Sequence, residues 1–338
     1  MTATATLELD GRPTIILRQT DVRRMLSMPA CIAAVEHAFV SHARGETLGP
    51  AVIGVHADGG GFHVKAAGLR EARRAVFAVK INANFPENSA RFGLPTIQGV
   101  LGLFDAANGR LLALMDSIEI TSLRTAAATA VAAKHLAPTI ADVVICGCGE
   151  QSRHQLRALA CVRSVRRVRA FDVERARAAT FADDMQSELG IAVSAVDDVR
   201  AGRDATIWIT CTPSRQWFLA REHVAAGSFV AAVGADNPEK QELEPELLSA
   251  NVVIADVLDQ SATIGDLHHA ITSGVMRRED VRGELADVVS GRIRGRRSDD
   301  EIVIFDSTGT ALQDVAAAAV VYEHAVARGG CLTIDFQT

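Results

Sequence analysis

The chain of 338 residues is 48% hydrophobic and 22% charged, a composition typical of globular enzymes with one or two domains. A net charge of −6 at pH 7, the lack of a long basic run and an aromatic content of 4% argue against nucleic acid as a partner. The sequence also has no apolar run of about 18 residues and no apolar signal core near its start, so we expect neither a membrane span nor an export signal.

The first 116 residues have the pattern of helices followed by an antiparallel sheet. A strand is expected over 14–17, and the apolar spacing from Thr20 onwards predicts two helices, interrupted near Pro29. The remaining apolar runs predict short strands on either side of a turn over 58–61, a strand over 75–81, a polar loop over 82–93, and strands over 96–104 and 110–116. The last two strands are joined by an Asn-Gly turn that is typical of a hairpin.

The rest of the chain alternates between strands and helices. An alanine-rich helix is predicted over about 121–136, and Pro138 ends it. Further strands are expected over 205–210, 229–233, 252–256 and 301–305, followed by a final helix over about 312–327. We therefore predict an α/β protein. A Rossmann-type NAD-binding domain (138–311) is inserted in a discontinuous α+β substrate and dimerisation domain (1–120 plus 312–338), and 121–137 forms the linking helix.

A glycine motif marks the predicted nucleotide site. An apolar run ends at Gly147, a turn carries Gly149, a helical pattern follows, and a second apolar run ends in Asp172. Gly147 permits the tight turn, Gly149 allows close approach of a pyrophosphate, and the helix N-terminus offers free N–H groups. Asp172 would bind a ribose diol and repel a 2′-phosphate, which favours NAD over NADP. Ser152 replaces the third glycine of the motif, and the alternative is an ordinary turn between strand and helix.

Two cations stand in positions that point to an anionic substrate. Lys80 shares one strand face with Val76 and Ala78, and burying a lysine is costly without an anionic partner. Arg124 lies at the start of the alanine-rich helix, where a guanidinium could grip a carboxylate. We predict that both bind a substrate carboxylate. The alternatives are an exposed strand edge for Lys80 and a structural salt bridge for Arg124.

Other candidate residues follow predicted strands. Asp236 comes after the strand over 229–233, where loops face the cofactor crevice, and could act as a base; the alternative is a turn or cap residue. Thr212 follows an earlier strand and should run beside the nucleotide. His63 and Lys65 share one face of a short strand, where they could bind an anionic group or lie on an exposed edge.

Neither the cysteines nor the histidines predict a metal site. The six cysteines are scattered without paired metal spacing, and such thiols suit a reducing cytoplasm. The adjacent pair His268-His269 points in two directions on a strand or helix, so it does not predict a metal pair.

Taken together, the motifs resemble the ornithine cyclodeaminase/mu-crystallin family from about Val22 to Ala327. They are Phe77-Ala78-Val79-Lys80 with Pro86 and Asn88, Gly93-Leu94-Pro95-Thr96-Ile97-Gln98-Gly99, Leu112-Ala113-Leu114-Met115-Asp116, Thr121-x-x-Arg124-Thr125-Ala126-Ala127, Gly147-x-Gly149-x-Gln151, Val233-Gly234-Ala235-Asp236 with Gln241-Glu242-Leu243, and Ser307-x-Gly309-x-Ala311 with Asp314.

The resemblance implies a homodimer that uses NAD(P)(H) to move a hydride at the α-carbon of an amino or imino acid. It makes Lys80 and Arg124 the ligands of the substrate carboxylate and Asp236 the acid/base group. With Asp172 favouring NAD(H), the expected cofactor site comprises Gly147, Gly149, Glu150, Gln151, Asp172, Thr121, Thr125, Thr212 and Gly234.

The chain departs from the cyclodeaminase pattern in two places. Cyclodeaminases have a further arginine after a proline, where this chain has Ala51, and a glutamate in the next strand, where it has His63 and Lys65. Cations suit the distal ammonium of ornithine poorly. We therefore predict an NAD-dependent imine reductase or amino-acid dehydrogenase acting on a small amino or imino acid. The alternatives are an ornithine cyclodeaminase and a non-catalytic nucleotide-binding protein.

Overall fold

The computed structural model describes residues 13–70 and 75–336. The predicted domains also include residues 1–12, 71–74 and 337–338, and these parts of the prediction lie outside the described residues. The α-helices are α1 (Gln19–Met25), α2 (Met28–Ala43), α3 (Asn88–Phe92), α4 (Ile118–Leu136), α5 (Glu150–Val162), α6 (Arg175–Leu189), α7 (Pro245–Ser249), α8 (Leu258–Ser261), α9 (Asp266–Thr272), α10 (Leu285–Val289) and α11 (Ala311–Arg328).

The strands complete the element order. They are β1 (Thr14–Leu17), β2 (Thr47–Ala57), β3 (Gly60–Arg70), β4 (Ala75–Asn84), β5 (Ile97–Asp105), β6 (Leu111–Asp116), β7 (Ile140–Cys146), β8 (Ser164–Phe171), β9 (Ala192–Val196), β10 (Ile207–Thr210), β11 (Arg215–Leu219), β12 (Phe229–Ala232), β13 (Gln241–Leu243), β14 (Val252–Ala255), β15 (Gly283–Glu284), β16 (Val303–Asp306) and β17 (Leu332–Ile334). No helix in the described ranges is long and apolar enough to cross a membrane.

The first sheet is largely antiparallel and has two different faces. Among the described residues, its order is β17-β1-β6-β5-β4-β3-β2, and only β1 and β6 run parallel. On the inner face, Lys65 of β3 stands directly opposite Lys80 of β4, and helix α11 packs across β2 to β5. On the outer face, a row of apolar residues crosses β2 to β5 (Ile53, Val64, Ile81, Val100).

The second sheet has the Rossmann strand order. Its described strands are all parallel in the order β15-β14-β16-β12-β10-β7-β8-β9. The chain leaves β7 in one direction through β8 and β9 and in the other through β10 and β12. The crevice at the carboxyl ends of β7 and β10 is therefore the switch point at which such sheets bind nucleotides.

Helices α4 and α11 connect the two sheets. Helix α4 packs against α2, α5 and α11, and also touches β5 of the first sheet and β12 and β16 of the second. Its alanines from Ala126 to Ala133 are fully buried, because small side chains let neighbouring backbones approach closely. Helix α11 begins at an N-cap, Thr310, whose hydroxyl accepts a hydrogen bond from the N–H of Leu312.

The predicted fold class is confirmed, with several local corrections. The strands around the turn at 58–61 are not short but form a hairpin of 11 residues each. The predicted polar loop over 82–93 is wrong, since β4 continues to Asn84 and α3 occupies Asn88–Phe92. Helix α4 begins three residues before the predicted start, at Ile118, because Asp116 accepts hydrogen bonds from the N–H groups of Ile118 and Glu119. Strand β17, which pairs with β1, was not predicted.

Candidate functional site

The turn after β7 has the geometry that a pyrophosphate site requires. Gly147 has φ +86°, and a Cβ there would lie 2.6 Å from the carbonyl oxygen of Cys211, so only glycine fits. Gly149 is the N-cap of α5 and makes no side-chain cap, which leaves N–H groups of the first turn for a ligand. A Cβ on Gly149 would meet nothing within 4 Å, so the space beside it is open.

Ser152 explains the departure from the three-glycine motif. Its side chain is fully buried, and its hydroxyl donates a hydrogen bond of 2.5 Å to the carbonyl oxygen of Gly147. A third glycine would allow close packing of helix and strand, whereas serine keeps the small size and ties the helix to the turn.

Asp172 lies at the end of β8, next to the same turn. Its carboxylate accepts hydrogen bonds from the N–H groups of Cys148 (2.8 Å) and Glu174 (2.9 Å). Each carboxylate oxygen has a further lone pair. Asp172 therefore places negative charge where Rossmann sites hold the adenosine ribose.

The remaining predicted cofactor residues contact the protein in different ways. Gln151 donates from Nε2 to the carbonyl oxygen of Ser122 in α4 (3.2 Å), which joins α5 to the helix that carries Arg124. Glu150 is exposed and lies 3.3 Å from Nε2 of His154. Thr121 accepts a hydrogen bond from Lys80, and Thr125 lies partly buried one turn later.

Thr212 and Gly234 are held by a residue for which no role was predicted, Glu242. Its fully buried carboxylate accepts hydrogen bonds from the N–H and hydroxyl of Thr212 (2.6 and 2.7 Å), from the N–H of Gly234 (2.8 Å) and from Thr210 (2.7 Å). Desolvation by burial raises the pKa of Glu242, although these donors oppose it. Glu242 therefore fixes the ends of β10 and β12, beside the nucleotide turn.

Lys80 and Arg124 converge on one carboxylate, that of Asp314 in α11. The Nζ of Lys80 lies 2.8 Å and the Nε of Arg124 2.9 Å from Oδ1 of Asp314, and all three side chains are almost fully buried. Arg124 also donates to Gln313 (2.7 Å). Desolvation lowers the pKa of Lys80 to about 7 against the opposing charge of Asp314. Desolvation raises the pKa of Asp314, but Arg124 and Lys80 outweigh this, so it lies below its usual value.

Lys65 adds a third cation to this group. Its ammonium donates to the carbonyl oxygens of Gly309 (2.5 Å) and Thr308 (3.4 Å). Desolvation and the nearby Arg124 lower the pKa of Lys65, and no described carboxylate lies within ion-pair distance of it. Three basic side chains therefore share one direct carboxylate partner, and an anionic ligand beside them would favour the protonated forms of Lys65 and Lys80.

An open cleft adjoins this group. Its volume is about 580 Å³, and its walls come from the β2–β3 hairpin, the start of β11 and the loop after β12. They include His63, Lys65, Arg215, Asp236 and Glu239. Lys80 and Arg124 do not line the cleft, whereas Lys65, which stands opposite Lys80 on the neighbouring strand, does. Desolvation lowers the pKa of His63, although Asp236 opposes it.

Asp236 stands at this cleft with its side chain 58% exposed, and its Oδ1 lies 2.8 Å from Nζ of Lys240. Desolvation raises the pKa of Asp236, but Lys240 and then Lys65 and His63 outweigh this, so it lies below its usual value. Asp236 is therefore an ionised carboxylate facing a cleft, as a proton acceptor should be.

No role was predicted from the sequence for two residues that contact Lys65, Lys80 and Arg124. Asp314 and Gly309 occur in the motif 307–314, yet nothing in their spacing showed that they would meet Lys80, Arg124 and Lys65, which lie more than 180 positions away. Gly309 has φ +77°, and a Cβ there would lie 2.6 Å from Nη1 of Arg124. A glycine shortly after the strand predicted over 301–305 is the sequence signal that could have marked this loop, because glycine readily adopts a positive φ.

The sequence model of the ornithine cyclodeaminase/mu-crystallin family matches residues 12–329. The chain is 37% identical over 324 residues to the alanine dehydrogenase of Archaeoglobus fulgidus, covering 96% of this chain and 98% of that protein. It is 35% identical to the iminosuccinate reductase of Paracoccus denitrificans, covering 93% of this chain and 98% of the relative.

A solved structure is also similar over nearly the whole chain. An archaeal alanine dehydrogenase, solved as a dimer with bound NAD, matches with a TM-score of 0.91 and 37% identity. The match covers 96% of this chain and 100% of that one.

Proposed function

The chain belongs to the ornithine cyclodeaminase/mu-crystallin family, and we propose that it is an NAD-dependent enzyme that moves a hydride at the α-carbon of a small amino or imino acid. Similar proteins named as alanine dehydrogenase and iminosuccinate reductase support this reaction class. The cofactor is NAD(H).

The observation that carries the proposal is the charge imbalance beside the cleft. Lys65, Lys80 and Arg124 surround a position where Asp314 supplies the one direct carboxylate partner. A substrate carboxylate would balance this charge and would accept charge-assisted hydrogen bonds from the same groups. Gln151 links the first turn of α5 to Ser122, so the carboxylate position and the nucleotide turn share α4.

Residues of the nucleotide turn would hold the cofactor. Gly147 and Gly149 leave room for the pyrophosphate, the N-terminus of α5 would bind it, and Asp172 would bind the ribose. NAD(H) supplies or accepts the hydride when it is bound. We further propose that Glu150, Thr121, Thr125, Thr212 and Gly234 complete this site.

Asp236 would transfer the proton that accompanies the hydride. It is ionised and partly exposed at the cleft, so it could accept a proton from a substrate amine or from a water that attacks an imine. In the reductive direction the same group would return that proton. Lys80 and Arg124 would orient the substrate by its carboxylate meanwhile.

The residues that line the cleft disfavour ornithine as a substrate. His63 and Lys65 line it where a distal ammonium would need a negative charge. The two acids named in its lining, Asp236 and Glu239, are already paired with Lys240 and Arg215. We therefore propose an uncharged or acidic amino or imino acid as the substrate, and net oxidation or reduction instead of redox-neutral cyclodeamination. The presence of Lys80, Arg124 and Asp236 together also favours an enzyme over a non-catalytic nucleotide-binding protein.

We also propose a domain division, an oligomeric state and a cellular location for this protein. Residues 138–311 would form the nucleotide-binding domain, 1–120 with 312–338 the substrate and dimerisation domain, and 121–137 the linking helix. The exposed apolar row on the outer sheet face (Ile53, Ile81, Val100) supports a homodimer. The free thiols support a cytoplasmic location.

A two-way screen tests the proposed function. Amino acids are supplied with NAD, and keto acids with ammonia or amines are supplied with NADH; both the NADH change and ammonia are measured. We expect net NADH formation or consumption with at least one small uncharged or acidic substrate. Conversion of ornithine to proline and ammonia without net NADH would instead show a cyclodeaminase, and no turnover in either direction would contradict the proposal.

A further inference from the structure

Asp236 has a dedicated ionic partner four residues further along the same loop. The Nζ of Lys240 lies 2.8 Å from Oδ1 of Asp236, and the lysine side chain is only 21% exposed although its partner faces the cleft. Within the described residues, Oδ2 of Asp236 accepts no hydrogen bond, so one carboxylate oxygen is held and the other remains for the cleft.

The backbone of this loop holds the two residues together. The side-chain oxygen of Asn237 accepts hydrogen bonds from the N–H groups of Glu239 (3.0 Å) and Lys240 (3.2 Å), which bends the chain back on itself. Exposed ion pairs usually contribute little to stability, mainly because two long side chains must be ordered to form them. Here the turn has already ordered the backbone of both partners.

Both ends of the loop are held by hydrogen bonds, one to β13 and one to α9. Before it, the N–H of Gly234 donates to buried Glu242 (2.8 Å). After it, the carbonyl oxygen of Lys240 accepts a hydrogen bond from Nε2 of His269 in α9 (2.9 Å). Lys240 is therefore fixed through its backbone, and its ammonium has a defined position beside Asp236.

We propose that Lys240 is a positioning residue that holds the Asp236 carboxylate ionised and aimed at the cleft. This inference rests on the proposed role of Asp236 as the proton-transfer group. Other titratable or charged groups line the cleft with Asp236: His56 on β2, Lys65 and His63 on β3, Arg215 on β11, and Glu239 in the loop itself. Lys240 is the one that contacts it at hydrogen-bond distance, so it has the largest effect on the ionised state among these groups.

The test compares Lys240→Met with Lys240→Arg in the pH profile of kcat/KM for amine oxidation. An adjacent cation typically lowers the pKa of an aspartate by 1 unit or more, and the partial exposure of Asp236 favours the lower limit. Lys240→Met should therefore move the acidic limb up by about 1 pH unit. At the pH where the wild type is half-maximal, activity should fall about fivefold. Lys240→Arg should restore the wild-type limb.

Lys134→Met serves as the matched control, because Lys134 makes a similar pair with Glu36 (2.7 Å) at the far end of α4. Its pH profile should equal that of the wild type. A Lys240→Met profile with an unmoved limb would overturn the inference. So would a Lys240→Arg profile that matches Lys240→Met.

A second readout does not depend on turnover. In protein labelled at the aspartate carboxyl carbon, the Asp236 resonance is identified by its loss in Asp236→Asn and is titrated by NMR. Its midpoint should be higher in Lys240→Met than in the wild type, and equal midpoints would overturn the role of Lys240. Absence of turnover in the wild type would contradict the proposed function alone.

Discussion

At the scale of single residues, the charges around Asp314 decide which kind of ligand can bind beside it. Lys80 and Arg124 both contact one oxygen of this carboxylate, and Lys65 is held by carbonyl oxygens alone. Asp314 thus orients two cations without neutralising all three. A substrate carboxylate that binds beside these cations would exchange its hydrogen bonds to water for hydrogen bonds from the protein. This exchange is favourable only if the protein donors are already in place.

Replacing Lys80 or Arg124 with Met should weaken substrate turnover selectively. Each change removes a charged hydrogen bond worth about 1.5–3 kcal/mol, so kcat/KM should fall at least about tenfold. NADH affinity, measured by fluorescence titration, should change little. Because each change also removes a partner of buried Asp314, a thermal melt must confirm that the variant is folded. Normal turnover in both folded variants would place the substrate carboxylate elsewhere.

Asp172 should select NAD(H) over NADP(H). Its carboxylate stands at the end of β8, and a 2′-phosphate beside it would meet a like charge. We expect kcat/KM to be higher for NADH than for NADPH, and Asp172→Ser to reduce the ratio by about tenfold or more. A wild-type preference for NADPH would refute the assignment.

At the scale of elements, the ends of the parallel strands carry a chain of buried acids. The Oδ1 of Asp266, the first residue of α9, accepts hydrogen bonds from the N–H groups of Glu242 and Leu243 (both 2.8 Å). Asp306, at the end of β16, accepts one from the N–H of Leu267 (3.1 Å). Each of these two carboxyl groups has one buried oxygen without a hydrogen-bond partner. Desolvation, followed by the charge of Glu242, raises the pKa of Asp266 to about 8.

This acid should make folding stability fall as pH rises. The pKa of Asp266 is higher in the folded than in the unfolded protein, so its contribution is fully present below about pH 4 and is lost as the pH passes through the folded value near 8. Denaturant unfolding from pH 5 to 8 should show a loss of about 3–4 kcal/mol from this group. Asp266→Asn should flatten the curve, whereas Asp183→Asn on the exposed face of α6 should not. Parallel curves for all three proteins would contradict this account.

The sequence predicts some of these elements better than others, for physical reasons. Lys80 could be identified because a strand alternates with period two, so a lone lysine among buried neighbours stands out. Asp314 could not be identified in this way, because nearly every position around it on α11 is buried and the hydrophobic periodicity does not set it apart from its neighbours. The extension of β4 and the presence of α3 were missed because polar residues there suggested a loop. The pairing of β1 with β17 joins chain ends, a contact that no local pattern encodes.

At the scale of the whole molecule, the outer face of the first sheet should form the homodimer interface. Ile53 is 61% exposed and Ile81 42% exposed on one row of that face, which a symmetric partner could cover. Light scattering should give a dimer or a multiple of it for the wild type. Ile53→Asp with Ile81→Asp should shift it towards monomer, whereas Val173→Asp, at a position 92% exposed on the second sheet's side, should not. A wild-type monomer would contradict the proposed interface.

The proposed reaction of this protein is a hydride transfer at the α-carbon of a small amino or imino acid that gives net oxidation or reduction. The most direct measurement incubates it with NAD and amino acids deuterated at the α-carbon, then determines the mass of the coenzyme. A small uncharged or acidic amino acid should give net NADH carrying one deuterium, and Asp236→Asn should slow this about 10²–10⁴-fold while NADH still binds. Coenzyme without deuterium for every amino acid tested, or deuterium that returns to proline formed from ornithine, would contradict it.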